Sequence, residues 1–115
     1  IADDNVVLIN GTPTPAAREM RVGDRYRLRL INVHTSRPNV FMRLFREGAL
    51  TTWRPIAKDG RDLPADQTAD VPSEVQVGNG ETYDFEFAPV VAGRHLFEIK
   101  GQGGRLLASM TIDVR

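Results

Sequence analysis

Cysteine is missing altogether from these 115 residues. That excludes disulfides, cysteine nucleophiles, and every zinc or copper site built on a thiolate. It does not locate the protein, because many exported bacterial proteins also have none. Histidine is nearly missing too: only His34 and His95 are present, 61 positions apart, so no His-x-His pair exists. Excess charge of either sign is absent, with fifteen basic residues against fifteen acidic ones. No global field therefore recruits nucleic acid or an anionic membrane. No apolar run approaches the roughly 20 residues of a membrane span. The start, Ile1-Ala2-Asp3-Asp4-Asn5, has neither a basic nor an apolar leader region, so no signal peptide is expected there. Beginning on Ile rather than Met, the chain is expected to be a processed product or a piece of a longer one. Also absent are internal repeats, low-complexity tracts, and any stretch of 10–12 residues at helical period.

What is present is strand periodicity. Arg25-Tyr26-Arg27-Leu28-Arg29-Leu30-Ile31-Asn32 alternates strictly, with Tyr26, Leu28 and Leu30 on one face and three arginines on the other. Thr82–Phe87 does the same, with Tyr83, Phe85 and Phe87 inward and Asp84 and Glu86 outward. Val6–Ile9, closed by Asn10-Gly11, reads as a strand and turn, and Pro13 and Pro15 mark an extended connector. Asn10-Gly11-Thr12 matches a glycosylation acceptor, which the turn explains without sugar. Glu19–Val22 reads as a brief edge strand, and Val40–Phe45 as a second strong strand after a loop from His34 to Asn39. Glu47–Thr52 reads as a loop. Trp53–Lys58 runs into the tight turn Asp59-Gly60. Ala65–Ser73 is a polar excursion, expected to be the least ordered part of the chain and the one home for a helical turn. Glu74–Val77, Arg94–Lys100 and Leu106–Val114 complete the set, with Ala108, Met110, Ile112 and Val114 sharing a face.

Eight or nine short strands separated by turns predict a single all-β domain over residues 1–115, a β-sandwich or barrel. Its size allows a core without metal or disulfide staples. Two readings of the Arg25, Arg27 and Arg29 face are open. If the strands are neighbours, Arg27 and Arg29 meet Asp84 and Glu86 in a cross-strand ladder of exposed pairs, each contributing roughly 0.2–1 kcal/mol. Alternatively the arginines bind an anion. Surface charge is more often paired, which favours the ladder.

Chemistry-bearing groups are sparse. His34, in a polar loop, and His95, early in a strand, read as ordinary hydrogen-bonded residues, and two histidines make only an adventitious metal site. Met110 belongs to the apolar face of its strand. Asp59, Asp62 and Asp66 lack the glutamate and glycine positions of a calcium loop. Gly101-Gln102-Gly103-Gly104 joins two strands, so it is a hairpin connection rather than a phosphate cradle. Ser36, Ser73 and Ser109 have neither a G-x-S-x-G setting nor a base. Trp53, Phe41 and Phe45 are assigned to core packing rather than to a stacking platform. No catalytic, cofactor-binding or metal-binding residue is therefore assigned.

Four stretches in order carry a family resemblance: Val7-Leu8-Ile9-Asn10-Gly11, Gly23–Asn32 as "G-x-x-Y-R-L-R-L-I-N", Ile56-Ala57-Lys58-Asp59-Gly60 as "I-A-x-D-G", and Gly80–Phe87 as "G-E-x-Y-D-x-x-F". Together they resemble the cupredoxin-like domains of multicopper oxidases, which implies a Greek-key β-sandwich. Copper-bearing members carry "H-P-x-H-L-H-G" after the second stretch and "F-H-C-H" near the C-terminus. The matching positions hold Arg43-Leu44-Phe45 and Phe97-Glu98-Ile99-Lys100, so the scaffold is matched and the ligands are not. The resemblance implies a copper-free structural domain of a protein whose other domains carry copper and couple substrate oxidation to reduction of O2 to water. It further implies other cupredoxin domains of the same chain or oligomer as partners, no nucleic acid, no membrane span, and a periplasmic or secreted setting. The alternative is a stand-alone β-sandwich binding module that uses the Ala65–Ser73 loop or the arginine face; an enzyme acting alone lacks any base–nucleophile or metal constellation.

Overall fold

A computed structural model describes residues 16–32 and 39–115. The strand expected at Val6–Ile9, the Asn10-Gly11-Thr12 motif, both connector prolines, His34 and Ser36 lie outside the described residues. In chain order the strands are β1 (Arg18–Met20), β2 (Tyr26–Ile31), β3 (Asn39–Arg46), β4 (Ala49–Leu50), β5 (Thr52–Lys58), β6 (Arg61–Asp62), β7 (Val71–Pro72), β8 (Glu74–Gly78), β9 (Thr82–Phe87), β10 (Gly93–Lys100) and β11 (Leu106–Val114). That is more than the eight or nine expected. The additions are β4, β6 and β7, two-residue pairings inside segments that read as loops, where no periodicity can register.

The strands form two sheets. One runs β1-β11-β10-β3-β4, with β8 sharing the β4 side of β3; the other runs β2-β9-β5-β6, with β7 on β5. From β2 to β10 successive long strands alternate between the sheets, as Greek-key connections require, and β10 and β11 then form a hairpin within the larger one. Between them lies one apolar core. Leu30, Trp53, Phe85 and Phe87 come from the smaller sheet, and Val40, Met42, Leu44, Val77, Phe97, Ile99 and Ile112 from the larger. Trp53 stacks on Phe85 with ring centroids 4.2 Å apart. Burying a side chain of this size contributes roughly 1.5–3 kcal/mol.

The alternation of β2 and β9 is realised as read, in antiparallel register with Arg27 opposite Glu86 and Arg29 opposite Asp84. The Asp59-Gly60 turn has positive φ at both residues, 50° and 79°, the mirror-image turn that matches strand twist. Two aromatic assignments are corrected. Trp53 is in the core, but Phe41 and Phe45 alternate with Val40, Met42 and Leu44 and so face outward, half-buried. The run Val40–Phe45 is apolar at five of six positions, so its composition cannot tell one face from the other.

The polar excursion is also better anchored than expected. It holds a 3-10 turn at Ala65–Gln67 and ends on Ser73, which has no exposed surface. Ser73 Oγ donates to the Leu44 carbonyl at 2.7 Å and lies 3.1 Å from Thr51 Oγ1. Its amide donates to the Thr51 carbonyl, and its carbonyl accepts from the Leu44 amide. A second 3-10 turn, at Gln102–Gly104, was not expected; Gly103 and Gly104 reach it with φ near +80°, and the hairpin connection stands.

Candidate functional site

The two segments that a copper-bearing relative would use for ligands lie side by side. In the antiparallel pairing of β3 with β10, Arg43 sits opposite Glu98, Met42 opposite Ile99, and Leu44 opposite Phe97. Ile99 and Met42 point into the core and are almost fully buried. Arg43 points outward and pairs with Glu74 at 3.3 Å, while Glu98 lies 4.0 Å from the Lys100 ammonium. A blue-copper centre needs two imidazoles and a thiolate. Of the groups at these positions only the Glu98 carboxylate can coordinate, and it lies beside the Lys100 ammonium; hydrocarbon, guanidinium and ammonium groups supply neither the imidazoles nor the thiolate.

His95 and Met110 do not repair the set. His95 lies on the core side of β10, 2% exposed, with Nδ1 3.1 Å from the Gly93 carbonyl and its ring edge-on to Phe87. Since a carbonyl only accepts, Nδ1 carries the proton. Met110 is half-buried against the core cluster. Among the described residues, no group of three or more His, Cys, Asp or Glu side chains is placed to hold a metal ion. Asp59 Oδ1 instead accepts from the Thr82 amide at 2.9 Å, capping its own turn. Asp62 and Asp66 are exposed on separate elements, as is Ser109.

The arginine face is a built ionic cluster. Arg27 donates to Asp84 Oδ2 through Nε at 2.7 Å and Nη2 at 2.6 Å, and Arg29 reaches the same oxygen through Nη2 at 3.1 Å. Glu86 is taken by Arg54 of β5 at 3.2 Å. The ladder is therefore present, with Arg29 reaching Asp84 straight across and Arg27 reaching it on the diagonal, and one expectation about it is corrected. Asp84 points away from the core yet its side chain is only 4% exposed. It lies on the central strand beside buried Ala57, which a register shift in β5 after Pro55 turns to this face. Burial pushes the Asp84 carboxyl up, but the hydrogen bonds and charges of Arg29 and Arg27 outweigh it and hold it below the usual range.

A third knot closes the end of this sheet. Asn32, buried where β2 stops, donates from Nδ2 to the Val77 carbonyl at 3.0 Å and accepts from the Gly80 amide at 2.6 Å. Glu81 accepts from the Gly78 amide at 2.6 Å and pairs with Lys58 at 2.9 Å. The Lys58 hydrogen bond, followed by the one from Gly78, lowers the Glu81 pKa. Sequence reasoning passed over both residues. The available cue was a polar residue ending an apolar strand, which commonly satisfies loose backbone groups.

Three solved structures show what arrangement this is. A multicopper oxidase matches with a TM-score of 0.66 at 15% identity, over 85% of this chain and 32% of its own. A multicopper oxidase from Pediococcus acidilactici matches with 0.65 at 9% identity, over 88% and 21%. A blue copper oxidase from Nitrosomonas europaea matches with 0.62 at 21% identity, over 86% and 30%. The fold is that of a cupredoxin-like multicopper oxidase domain. The cupredoxin-like chain thus spans a third or less of the length of each of these structures. No protein-family model matches the sequence, and no curated protein does.

Proposed function

We propose that this cupredoxin-like chain is a non-copper structural domain of a multicopper oxidase-like protein. In that reading it holds copper-bearing domains in register, and the whole protein couples oxidation of a substrate to reduction of O2 to water in a periplasmic or secreted setting. Its partners are other cupredoxin domains of the same chain or oligomer. The observation that supports the reading is the pairing of β3 with β10, which brings together the residues that the resemblance matches to copper-ligand positions, Arg43, Phe45, Glu98, Ile99 and Lys100. Those residues contribute packing and ion pairs instead of the imidazoles and thiolate of a blue-copper centre.

The alternative, a stand-alone binding module, draws less support. Arg27 and Arg29 are engaged by Asp84, and the polar excursion is tied down at Ser73. Copper titration tests the structural reading. The purified chain, dialysed against a chelator after loading with Cu(II), is expected to retain well under one equivalent. Retention of one equivalent would sink it.

A further inference from the structure

The outer faces of β11, β10, β3, β4 and β8 carry an unusual number of large apolar side chains. Register places side chains on it in three rows. The first runs Thr111, Leu96, Phe45, Leu50. The second runs Ser109, Glu98, Arg43, Glu74. The third carries Lys100, Phe41 and Gln76. Leu96 is 37% exposed, and Phe41, Phe45 and Leu50 are half-buried outside the core cluster. Two phenylalanines and two leucines on one outer face are more apolar surface than such a strand needs. Arg43 and Lys100 balance Glu74 and Glu98, so the face has no field to attract nucleic acid or an anionic membrane.

We infer that this face is a contact between two copies of the chain, packed sheet on sheet about a two-fold axis that runs along the strands between β3 and β10. The inference deepens the assembly role proposed above and rests on it. It commits to a second copy because the pattern is self-complementary. Such an axis lays β3 of one protomer over β10 of its partner at the same height. Arg43 then meets Glu98, Phe45 meets Leu96, and Lys100 lies over the Phe41 ring, each contact occurring twice. In the flanking columns Ser109 falls opposite Glu74 and Thr111 opposite Leu50. No like charges are opposed. Aligned face-to-face packing of sheets tolerates this geometry within about 30°. The dimer is expected to be reversible and concentration-dependent.

Sedimentation velocity across a concentration series, on the 115-residue chain, tests this. The wild type is expected to pass from monomer to dimer as concentration rises. Leu96→Glu abolishes the dimer while leaving the circular dichroism spectrum unchanged. Arg43→Glu and Glu98→Arg each weaken it by roughly tenfold, and the two together restore it. Val90→Glu serves as the control, since Val90 is exposed in the β9–β10 loop at the end of the sandwich. A wild type that stays monomeric at every concentration overturns the inference, as does a dimer lost in Val90→Glu but kept in Leu96→Glu. Neither result touches the proposed structural role inside a longer oxidase, whereas one equivalent of retained copper would end that role, an outcome the sedimentation series does not mimic.

Discussion

The two outer faces of this sandwich solve one problem differently. On β2, β9 and β5 the outward residues are Arg27, Arg29, Asp84, Glu86 and Arg54, a charged set whose central carboxylate is nearly buried beneath two guanidiniums. On β3 and β10 the outward residues are Phe41, Arg43, Phe45, Leu96, Glu98 and Lys100, apolar groups flanking two local ion pairs. The first face satisfies itself: its charges are held within one chain. The second leaves Leu96 exposed and Phe41, Phe45 and Leu50 half-buried outside the core. Pointing away from the core is thus a statement about strand parity, while burial depends on what neighbouring strands project alongside.

The largest effect that sharpens this contrast should appear between adjacent residues of β3. Leu44 is fully buried and Phe45 faces outward. Leu44→Ala should cost about 2–5 kcal/mol in urea unfolding, and Phe45→Ala less than about 1 kcal/mol for the monomer. Equal costs would erase the distinction between the faces.

A middle effect is expected at Asp84. Asp84→Asn keeps the shape but removes charge from hydrogen bonds to two arginines, which should cost about 2 kcal/mol at pH 7. The pH dependence follows from the sign of the shifts. Asp84 and Glu81 both have folded pKa values lowered from those of an ordinary aspartate and glutamate, by the arginine pair and by Lys58 respectively. Their stabilisation is complete above those ordinary values and is lost as pH falls through the lower folded values. Thermal midpoints should therefore drop below about pH 4, and less steeply in Asp84→Asn. A variant as acid-sensitive as the wild type would remove Asp84 from the account.

The smallest effect separates the partners within the ionic face. A double-mutant cycle should give about 1 kcal/mol of coupling for Arg27 with Asp84 and close to zero for Arg27 with Glu86, although Glu86 is the direct register neighbour. The reverse order would show that the straight ladder holds in solution.

Much of this was legible along the chain. The alternation of Arg25–Asn32 and Thr82–Phe87 specified two strands and their inward faces, and the opposite charges on the other faces pointed to their pairing. Asp59-Gly60 specified its turn through the left-handed backbone that such residues tolerate. Phe41 and Phe45 were misread because a run that is apolar on both sides carries no period-two signal. Asn32 and Glu81 were passed over, and Ser73 was weighed only as a nucleophile, because their partners, Val77, Lys58 and Leu44, lie 23 to 45 residues away.

The sequence by itself determined an all-β chain and the absence of any thiolate. These are facts of local periodicity and of which atoms exist. Tertiary structure alone decided that Arg43 and Glu98 meet as register neighbours on β3 and β10, that an outward Asp84 is buried, and that two phenylalanines face away from the core. Each of those depends on which distant strand lies alongside, a choice made by the packing of two sheets over one core and by no single stretch of the chain.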